Sequence, residues 1–264
     1  MTSESERAAR VERAWDEAAL GYDTYFGPRF APYLGAAVGA LVSHADRLPE
    51  GAIVVPCVGP GRELPALARA FSGRTIFASD LSTSMVEKSR ERAKALPNVR
   101  VERADAMTLV APSGGAAALL SVFGLQLLPD PAAALASWVS LLAPGAHAVV
   151  LYWLRDSEPS GPFHSMRTLL RAAGLADGEW ERELLESVKR AGGRTLADRP
   201  IAFEMAHENS QTLWQALTLL GPLRGLMLAR GEAFIAELGQ EFEAELPPGP
   251  LVHTPSARLL VIER

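Results

Sequence analysis

The ten residues VVPCVGPGRE, from Val54 to Glu63, decide how this chain folds. A short apolar run ends at Gly59 and Gly61, and a helical pattern begins directly after them, so the segment predicts a buried strand, a tight turn and a helix. Glycine in such a turn lets a ligand approach the backbone, and a helix N-terminus favours polar or anionic groups. An ordinary tight turn uses the same glycines, so the motif alone does not establish a binding site.

Apolar runs and helical stretches alternate around this segment. The predicted strands are Ala52–Val58, Thr75–Ala78, Val99–Val101, Ala116–Phe123 and His147–Trp153, and the predicted helices between them are Arg62–Phe71, Ser82–Ala95 and Pro131–Leu142. Strands that alternate with helices at this spacing are typical of an α/β fold with a parallel sheet.

Helical patterns dominate the two flanks of the alternating region. A helix from Glu6 to Leu20, ended by Gly21, and a second helix from Arg29 to His44 are predicted before it. After it, the predicted elements are helices Phe163–Ala173, Glu179–Ala191, Ser210–Leu220, Leu223–Leu228 and Glu232–Glu245, with strands Ile201–Met205 and Arg258–Ile262. We therefore expect a single domain over residues 1–264, with a helical cap (1–50), a core (51–155) and substrate-side helices with the last strands (156–264).

Two acidic residues follow the predicted second and third strands. Asp80 lies 19 residues after Gly61, and a carboxylate at about this distance can accept hydrogen bonds from both hydroxyls of a ribose. Asp105 and Ala106 follow the third strand, where a polar side chain can reach an adenine amino group. Either aspartate could instead cap a helix or close a turn, and Ser82 could also serve as the cap of the helix after Asp80.

Composition excludes several classes of protein. The chain has 26 Lys and Arg against 31 Asp and Glu, a formal net charge of −5, whereas nucleic-acid binders usually carry a strong basic excess. This charge also gives no reason to expect an anionic membrane as partner. Cys57 is the single cysteine, which excludes an intrachain disulfide and a thiolate zinc site, and the five histidines are not at metal-ligand spacing, so no metal is expected.

The charged N-terminal residues lack the apolar region of a signal peptide. No apolar run reaches the roughly 18 residues of a membrane span. A cytoplasmic location is therefore expected.

Several of these segments together resemble the class I S-adenosylmethionine-dependent methyltransferases. The family's acidic residue and Met-bearing helix correspond to SDLSTSMVEKSRERA (residues 79–93), and its later strand, helix and turn to LLSVFGLQLLPDPAAALASWVSLLAPGAHAVVLYW (residues 119–153). The opening WDEAALGYDTYFGPRFAP (residues 15–32) is similar to the cap of members that act on small molecules. The resemblance implies a Rossmann-like, seven-stranded, mostly parallel sheet whose last strand is antiparallel, with an N-terminal helical cap and a helical insertion after the fifth strand. It also implies S-adenosylmethionine as cofactor over the C-terminal ends of the strands.

The resemblance also assigns residues to the cofactor site. These residues are Val55, Cys57, Gly59, Gly61, Asp80, Leu81, Met85, Asp105, Ala106 and Ser121. Val55 stands where the family usually has an acidic residue, which removes a polar contact, and Cys57 replaces the first glycine of the usual GxGxG. A reactive thiol is one hypothesis for Cys57, and a small buried apolar residue in a strand is the favoured one.

Catalytic and substrate residues are the least determined by the sequence. Tyr22 and His164 are the catalytic candidates, and Tyr25, Gln126 and Trp153 are the substrate-binding candidates. Tyr22 and Tyr25 could close over cofactor and substrate or could pack between helix and core. His164 and His207 lie where substrate is expected, although a structural role is the more common one for such histidines. Many relatives have a histidine where this chain has Gln126, which can position a substrate but cannot act as a base.

The function that follows is transfer of a methyl group to O, N or C of a small molecule, possibly a secondary metabolite, by in-line displacement without a metal. Alignment of the nucleophile with the methyl group can supply several kcal/mol of such catalysis, on the order of 7–11 kcal/mol in favourable intramolecular cases. One alternative is a protein of the same fold that binds S-adenosylmethionine without methyl transfer or uses it in another reaction. Another is a binding module for an unrelated nucleotide, since fold does not determine function. The chain could also pair as a homodimer.

Overall fold

The computed structural model describes residues 4–174 and 180–264, which divide into two compact units. Among the described residues, the helical unit comprises 4–30, 154–174 and 202–256, and the sheet unit comprises 31–153, 180–201 and 257–264. The single domain expected from the sequence stays a prediction.

Strands and helices alternate through the middle of the chain, as the sequence predicts. The strands are β1 (Ile53–Pro56), β2 (Ile76–Asp80), β3 (Val99–Arg103), β4 (Ala116–Val122), β5 (Leu142–Trp153), β6 (Arg194–Ala202), β7 (Met205–His207), β8 (Leu251–His253) and β9 (Ser256–Glu263). The α-helices are α1 (Glu4–Gly21), α2 (Gly27–Val42), α3 (Leu64–Ala70), α4 (Thr83–Ala93), α5 (Pro131–Leu141), α6 (Pro162–Ala172), α7 (Glu181–Arg190), α8 (Ser210–Thr218), α9 (Gly221–Arg230) and α10 (Glu232–Glu245).

Seven of these strands form one sheet in the order β3-β2-β1-β4-β5-β9-β6. β1 is parallel to β2 and β4, and β4 is parallel to β5. β9 is antiparallel to β5, with Val150 opposite Leu260. All four residues of β1 are buried, as expected of a strand covered on both faces. The seven-stranded, mostly parallel sheet with an antiparallel last strand is thus confirmed.

The strand order reverses at β1. β2 and β3 lie on one side of it, and β4 and β5 lie on the other. In open α/β sheets, a ligand binds outside the carboxyl ends of the strands at such a switch point. The ends of β1, β2 and β4 are therefore where a site is expected.

Trp138 on α5 connects that helix to the loop after β3. Its side chain is fully buried, and its indole Nε1 donates a hydrogen bond of 2.8 Å to the carbonyl of Ala106. The start of α5 is set by Asp130, whose carboxylate accepts from the N–H of Ala133, and by Pro131, whose missing N–H costs nothing in the first turn.

Close contacts at two glycines hold the helical unit together. Gly221 lies against the indole of Trp15, and Gly239 lies against that of Trp214; a Cβ would come within 2.1 Å and 2.4 Å of ring atoms. Larger residues would force these helices apart. In the same unit, β7 and β8 form a separate antiparallel pair.

The prediction that Gly21 ends the first helix is wrong. Gly21 has helical φ and ψ of −64° and −42°, and a π-helical turn, Tyr22–Phe26, continues directly into α2. A Cβ on Gly21 would lie 2.6 Å from Leu219, so glycine here permits close packing.

The predicted strand Ile201–Met205 is also wrong, because it straddles two strands in different sheets. Residue 201 belongs to β6 of the large sheet, whereas residue 205 begins β7. The short partner of β7, the strand β8, is not predicted at all. A three-residue strand lacks the length from which alternation can be recognised.

Candidate cofactor site

The turn after β1 has a left-handed backbone. Cys57, Gly59 and Gly61 have φ of 53°, 54° and 72°. The prediction that Cys57 lies in a strand is wrong, because β1 ends at Pro56 and Cys57 is a half-buried residue of the turn. A non-glycine residue in this conformation costs about 1–3 kcal/mol, and such strain is concentrated at functional sites.

Asp80, at the end of β2, is attached to this turn. Its Oδ2 accepts a hydrogen bond of 2.8 Å from the N–H of Gly59, and its Oδ1 accepts one of 3.0 Å from the N–H of Ser82. Ser82 is the N-cap of α4, since its hydroxyl accepts from the N–H of Met85. The alternative that Asp80 is the cap is therefore excluded, and its carboxylate is oriented at the carboxyl edge of the sheet.

Two side chains of helix α4 donate hydrogen bonds to backbone carbonyls of the turn. The hydroxyl of Ser89 donates 2.6 Å to the carbonyl of Gly59, and the guanidinium of Arg92 donates to the carbonyl of Pro60. A Cβ on Gly61 would lie 2.7 Å from Leu64 and 2.8 Å from the Ser89 hydroxyl. The turn is thus held in one conformation before any ligand binds.

Asp105 and Ala106 follow β3. Asp105 Oδ1 accepts 2.9 Å from the N–H of Met107, which is the turn role left open by the sequence. Ala106 is buried, and its carbonyl is engaged by Trp138. Both residues of the loop are thus held by hydrogen bonds.

Cys57 lies near both aspartates. Burial raises the pKa of its thiol well above the usual range, and the negative charges of Asp80 and Asp105 raise it further. The thiol is therefore protonated at neutral pH, which argues against the hypothesis of a reactive thiolate. The same interactions show that the turn after β1, the end of β2 and the loop after β3 converge on one place.

The end of β4 lies at the same carboxyl edge of the sheet as the ends of β1 and β2. Phe123 has a left-handed φ of 59°, so the neighbouring strands β1 and β4 are each followed directly by a strained non-glycine residue. Ser121 is fully buried, and its hydroxyl lies 3.4 Å from the carbonyl of Pro56. Gly124 lies directly against Cys57, and a Cβ there would be 2.3 Å from the Cβ of Cys57.

Gly124→Ala is expected to destabilise the protein by about 1–3 kcal/mol, because two Cβ atoms would overlap in a packed site. Chemical denaturation measures this loss. The double variant Gly124→Ala/Cys57→Gly is the control, since glycine removes the clashing atom and suits the left-handed φ. A double variant no more stable than Gly124→Ala alone would contradict the contact.

Aromatic rings lie beside this edge within the sheet unit. Phe123 and Trp153 stack with ring centroids 4.3 Å apart, and Tyr33 meets Trp153 edge-on at 5.0 Å. Gln126 donates 2.8 Å to the carbonyl of Phe123, while its buried Oε1 has no hydrogen-bond partner among the described residues. An amide oxygen of this kind is an acceptor available to a ligand.

The other predicted cofactor residues differ in burial and lie on different elements of the sheet unit. Val55 is fully buried in β1, Met85 is buried in α4, and Leu81 is partly exposed after β2.

Glu63 was not predicted as a site residue, although it ends the motif VVPCVGPGRE. It is buried directly before α3, and burial raises the pKa of its carboxyl to about 7. The signal in the sequence that could have identified Glu63 is an acidic residue two positions after the glycine turn.

The predicted catalytic residues and Tyr25 belong to the helical unit. Tyr22 packs among Trp15, Phe26 and Phe30, with ring centroids 5.9–6.3 Å away. His164 lies on α6, and its buried Nδ1 has no partner within the described part of the chain. Their catalytic roles stay predictions.

Membrane-spanning helices and metal-binding clusters are both absent from the described residues. No helix there is long and apolar enough to cross a membrane. No group of three or more His, Cys, Asp or Glu there is arranged to hold a metal ion.

Residues 53–145 match a family model described as a methyltransferase domain. Together with the seven-stranded sheet and the glycine turn, this match shows a methyltransferase domain in this part of the chain. The resemblance inferred from the sequence is thus confirmed for residues 53–145.

Two solved structures illustrate the similarity of fold. Geranyl diphosphate C-methyltransferase from Streptomyces coelicolor, in complex with Mg²⁺, geranyl diphosphate and S-adenosyl-L-homocysteine, is 14% identical, covers 100% of both chains and has a TM-score of 0.58. The cyclase SpnF is 17% identical over 87% of this chain and 81% of its own, with a TM-score of 0.52. At these identities the likeness is one of fold.

One curated relative is similar in sequence. It is an uncharacterized 37.1 kDa protein in transposon TN4556 of Streptomyces fradiae, 41% identical over 103 residues. The match covers 38% of this chain and 29% of the relative, so the chain spans less than a third of the length of that relative.

Proposed function

We propose that the protein binds S-adenosylmethionine at the carboxyl edge of β1, β2 and β3 and transfers its methyl group to a small organic molecule. The observation that carries this proposal is the carboxylate of Asp80, held by the N–H groups of Gly59 and Ser82 beside the left-handed turn. A fixed carboxylate next to a left-handed glycine turn suits a ribose linked to a charged chain.

Each part of the cofactor has a matching group in this proposal. Asp80 accepts from the ribose hydroxyls, and the turn from Gly59 to Gly61 faces the methionine part. The loop of Asp105 and Ala106 meets the adenine. Every one of these groups is held by hydrogen bonds within the sheet unit. The site is therefore preorganised, which lowers the entropic cost of binding.

The acceptor is proposed to meet the aromatic groups at the ends of β4 and β5. The stacked Phe123 and Trp153 offer an apolar face, and Gln126 Oε1 is an acceptor for an N–H or O–H of the bound molecule. Such a mixture of aromatic surface and single polar groups is typical of small-molecule sites. The methylated atom, O, N or C, is left to experiment.

Titration calorimetry with S-adenosylmethionine and S-adenosylhomocysteine tests the cofactor. Micromolar dissociation constants are expected. A radiolabelled methyl donor and a panel of phenols, amines, carboxylates and prenyl diphosphates then test transfer, with product identified by mass spectrometry. A protein that binds neither ligand contradicts the proposal.

A second candidate is a protein of this fold that binds the cofactor without transferring its methyl group. It is favoured by Val55, which is buried in β1 at the position where the family usually has an acid. Tight binding of both ligands with no methyl release to any acceptor supports this candidate. Methyl transfer to a single acceptor removes it.

The proposal also includes a cytoplasmic location and a small-molecule metabolite as partner. The formal net charge of −5 argues against a nucleic-acid substrate. A homodimer stays a prediction, which light scattering of the purified protein checks.

A further inference from the structure

The side-chain amide of Gln126 has a fixed orientation after β4. Its Nε2 donates a hydrogen bond of 2.8 Å to the carbonyl of Phe123. A carbonyl oxygen can only accept, so the nitrogen of the amide, and not its oxygen, faces Phe123. Oε1 of Gln126 is buried and has no hydrogen-bond partner among the residues that the structure describes. Gln126 therefore presents an acceptor, and not a donor, to a bound molecule.

Backbone hydrogen bonds on both sides keep the amide in this orientation. Phe123, with its left-handed φ of 59°, donates its N–H to the carbonyl of Leu151 at 2.7 Å. Gln126 lies in a short 3₁₀ helix, which is closed by a hydrogen bond of 3.0 Å from the N–H of Leu127 to the carbonyl of Gly124. Both residues that the amide joins are thus held within the sheet unit.

Gly124 brings this segment against the turn after β1. A Cβ on Gly124 would lie 2.3 Å from the Cβ of Cys57, so the two residues are in direct contact. The charges of Asp80 and Asp105 both act on the thiol of Cys57. The acceptor oxygen therefore belongs to a segment that touches the turn where the cofactor is proposed to bind, and all of these residues lie in the sheet unit.

Aromatic rings provide the apolar part of the same edge. Phe123 stacks on Trp153 with the ring planes 7° apart, and Tyr33 meets both rings edge-on. Tyr33 and Phe123 are buried, whereas Trp153 is partly exposed. The face of an aromatic ring attracts a positive charge, and Trp does so most strongly. A group that becomes cationic beside Trp153 is therefore favoured.

The acidic groups of the cofactor loops are already engaged. Asp80 accepts from two backbone N–H groups and Asp105 from one. The thiol of Cys57 is protonated, because burial raises its pKa. Glu63 is buried directly before α3, where the charges that act on its carboxyl are those of Arg92 and Asp80. These contacts commit the four groups to the turns and the cofactor, and an amide cannot act as a base either.

We infer that the methyl acceptor is a primary or secondary amine on a flat apolar framework, bound uncharged with its N–H donated to Oε1 of Gln126. The inference rests on the proposed function, whose substrate class it names. An uncharged amine has a nucleophilic lone pair, so it needs no base before the transfer. The hydrogen bond to Oε1 orients that lone pair, which makes Gln126 a residue that determines specificity.

The transfer balances without a proton acceptor. The lone pair of the nitrogen forms the bond to the methyl carbon, and the electrons of the carbon–sulfur bond go to sulfur. The positive charge passes from the sulfonium to the nitrogen, which keeps its N–H, and the rings of Phe123 and Trp153 favour this cation. The ammonium product loses its proton to water after release. A phenol or an alcohol would have to lose its proton during the step itself.

The first arm of the test measures binding without turnover. Aniline, N-methylaniline and N,N-dimethylaniline share one ring, are uncharged near pH 8 and differ in the number of N–H donors, which the dimethyl compound lacks. Ligand-observed NMR gives their affinities for the protein, with and without S-adenosylhomocysteine. The two compounds with an N–H are expected to bind about 10–10²-fold more tightly than the dimethyl compound, since only they can pair with the buried oxygen.

Gln126→Met tests the assignment to this side chain, because methionine has a similar length and only a weak acceptor. The variant is expected to bind all three anilines at the level of the dimethyl compound. A merely structural role of Gln126 would lower the three affinities alike and keep their order. The same substitution at the exposed Gln215 of α8 is the control and should change nothing.

Equal affinities of the three anilines for the wild type, or no binding by any of them, would overturn the inference. An unchanged order in Gln126→Met would also overturn it. A melting curve shows whether the variant is folded, and the order in the wild type decides alone if it is not.

Methyl transfer supplies the second arm of the test. The acceptor screen uses sets of compounds that share one aromatic skeleton and carry an amine, a hydroxyl or a carboxylate. Transfer to the amines is expected, with kcat/KM rising with pH up to the pKa of each amine's own ammonium form. An inflection at one fixed pH for every amine would indicate a base of the protein and overturn the inference.

The outcomes separate this inference from the proposed function. Transfer only to hydroxyl or carboxylate compounds overturns the amine class and supports the proposed function. A wild type that transfers no methyl group to any acceptor contradicts the proposed function, and the order of the aniline affinities then decides the binding preference separately.

Discussion

Replacing Asp80 with alanine is expected to weaken the binding of S-adenosylhomocysteine by about 10²–10⁴-fold. Hydrogen bonds to a charged group contribute about 1.5–3 kcal/mol each, and the proposed site gives this carboxylate two ribose hydroxyls. The substitution also removes the acceptor of the Gly59 and Ser82 N–H groups, so the turn loses its orientation. Titration calorimetry of the purified variant gives the dissociation constant directly.

Asp130→Ala is the matched control for this experiment. Asp130 caps α5 through the N–H of Ala133, and losing such a cap costs about 1 kcal/mol of stability. The control should therefore lower the melting temperature without changing the dissociation constant. Equal affinities of Asp80→Ala and the wild type would show that Asp80 is only a structural support of the turn.

The stability of the protein is expected to fall by about 3 kcal/mol as the pH rises from about 4 to about 8, because of Glu63. Its carboxyl is buried, and burial is the main cause of a folded-state pKa of about 7 against an ordinary value of 4.5; the charge of Asp80 adds to the increase and Arg92 opposes it. The folded state therefore holds the proton more tightly than the unfolded state. The stabilisation is complete below the unfolded pKa and is lost as the pH rises through the folded one.

Glu63→Gln separates this contribution from that of other groups. The glutamine stays neutral at every pH, so the variant should equal the wild type in stability near pH 4 and exceed it by about 3 kcal/mol at pH 8. Urea denaturation of both proteins at several pH values measures the difference. Glu87→Gln, an exposed position on α4, is the control and should leave the pH dependence unchanged. A constant difference between Glu63→Gln and the wild type would contradict the raised pKa.

The order of the core elements was predictable because each one is encoded locally. β1, β2 and β4 are short apolar runs bounded by turn residues, and the buried faces of the sheet require such runs. Pro131 correctly indicates the start of α5. The turn at Gly59 and Gly61 was predictable for the same reason, since a positive φ favours glycine.

Conformation at single residues was less predictable. Cys57 is apolar enough to continue a strand, but its backbone is left-handed, and it packs directly against Gly124, which lies 67 positions further along the chain. Gly21 has the composition of a helix stop, and only its contact with Leu219 shows that it serves packing. In both cases a distant segment overrides the local preference.

The protonation and hydrogen bonding of titratable groups also depend on contacts between distant segments. The carboxyl of Glu63 stands in the motif that determines the fold, but its raised pKa depends on burial, which no local pattern predicts. The tertiary structure alone also joins Tyr25 to His207 and Glu158 to His253, pairs separated by 182 and 95 positions.

The sequence by itself therefore determined the sheet, the glycine turn, Asp80 and the class of protein, because periodicity and turn chemistry act over neighbouring residues. The tertiary structure decided the strain at Cys57 and Phe123, the raised pKa of Glu63 and the hydrogen bonds that link Tyr25 to Glu158 through two histidines. These properties depend on desolvation and on hydrogen bonds between distant segments, which exist only once the chain has folded.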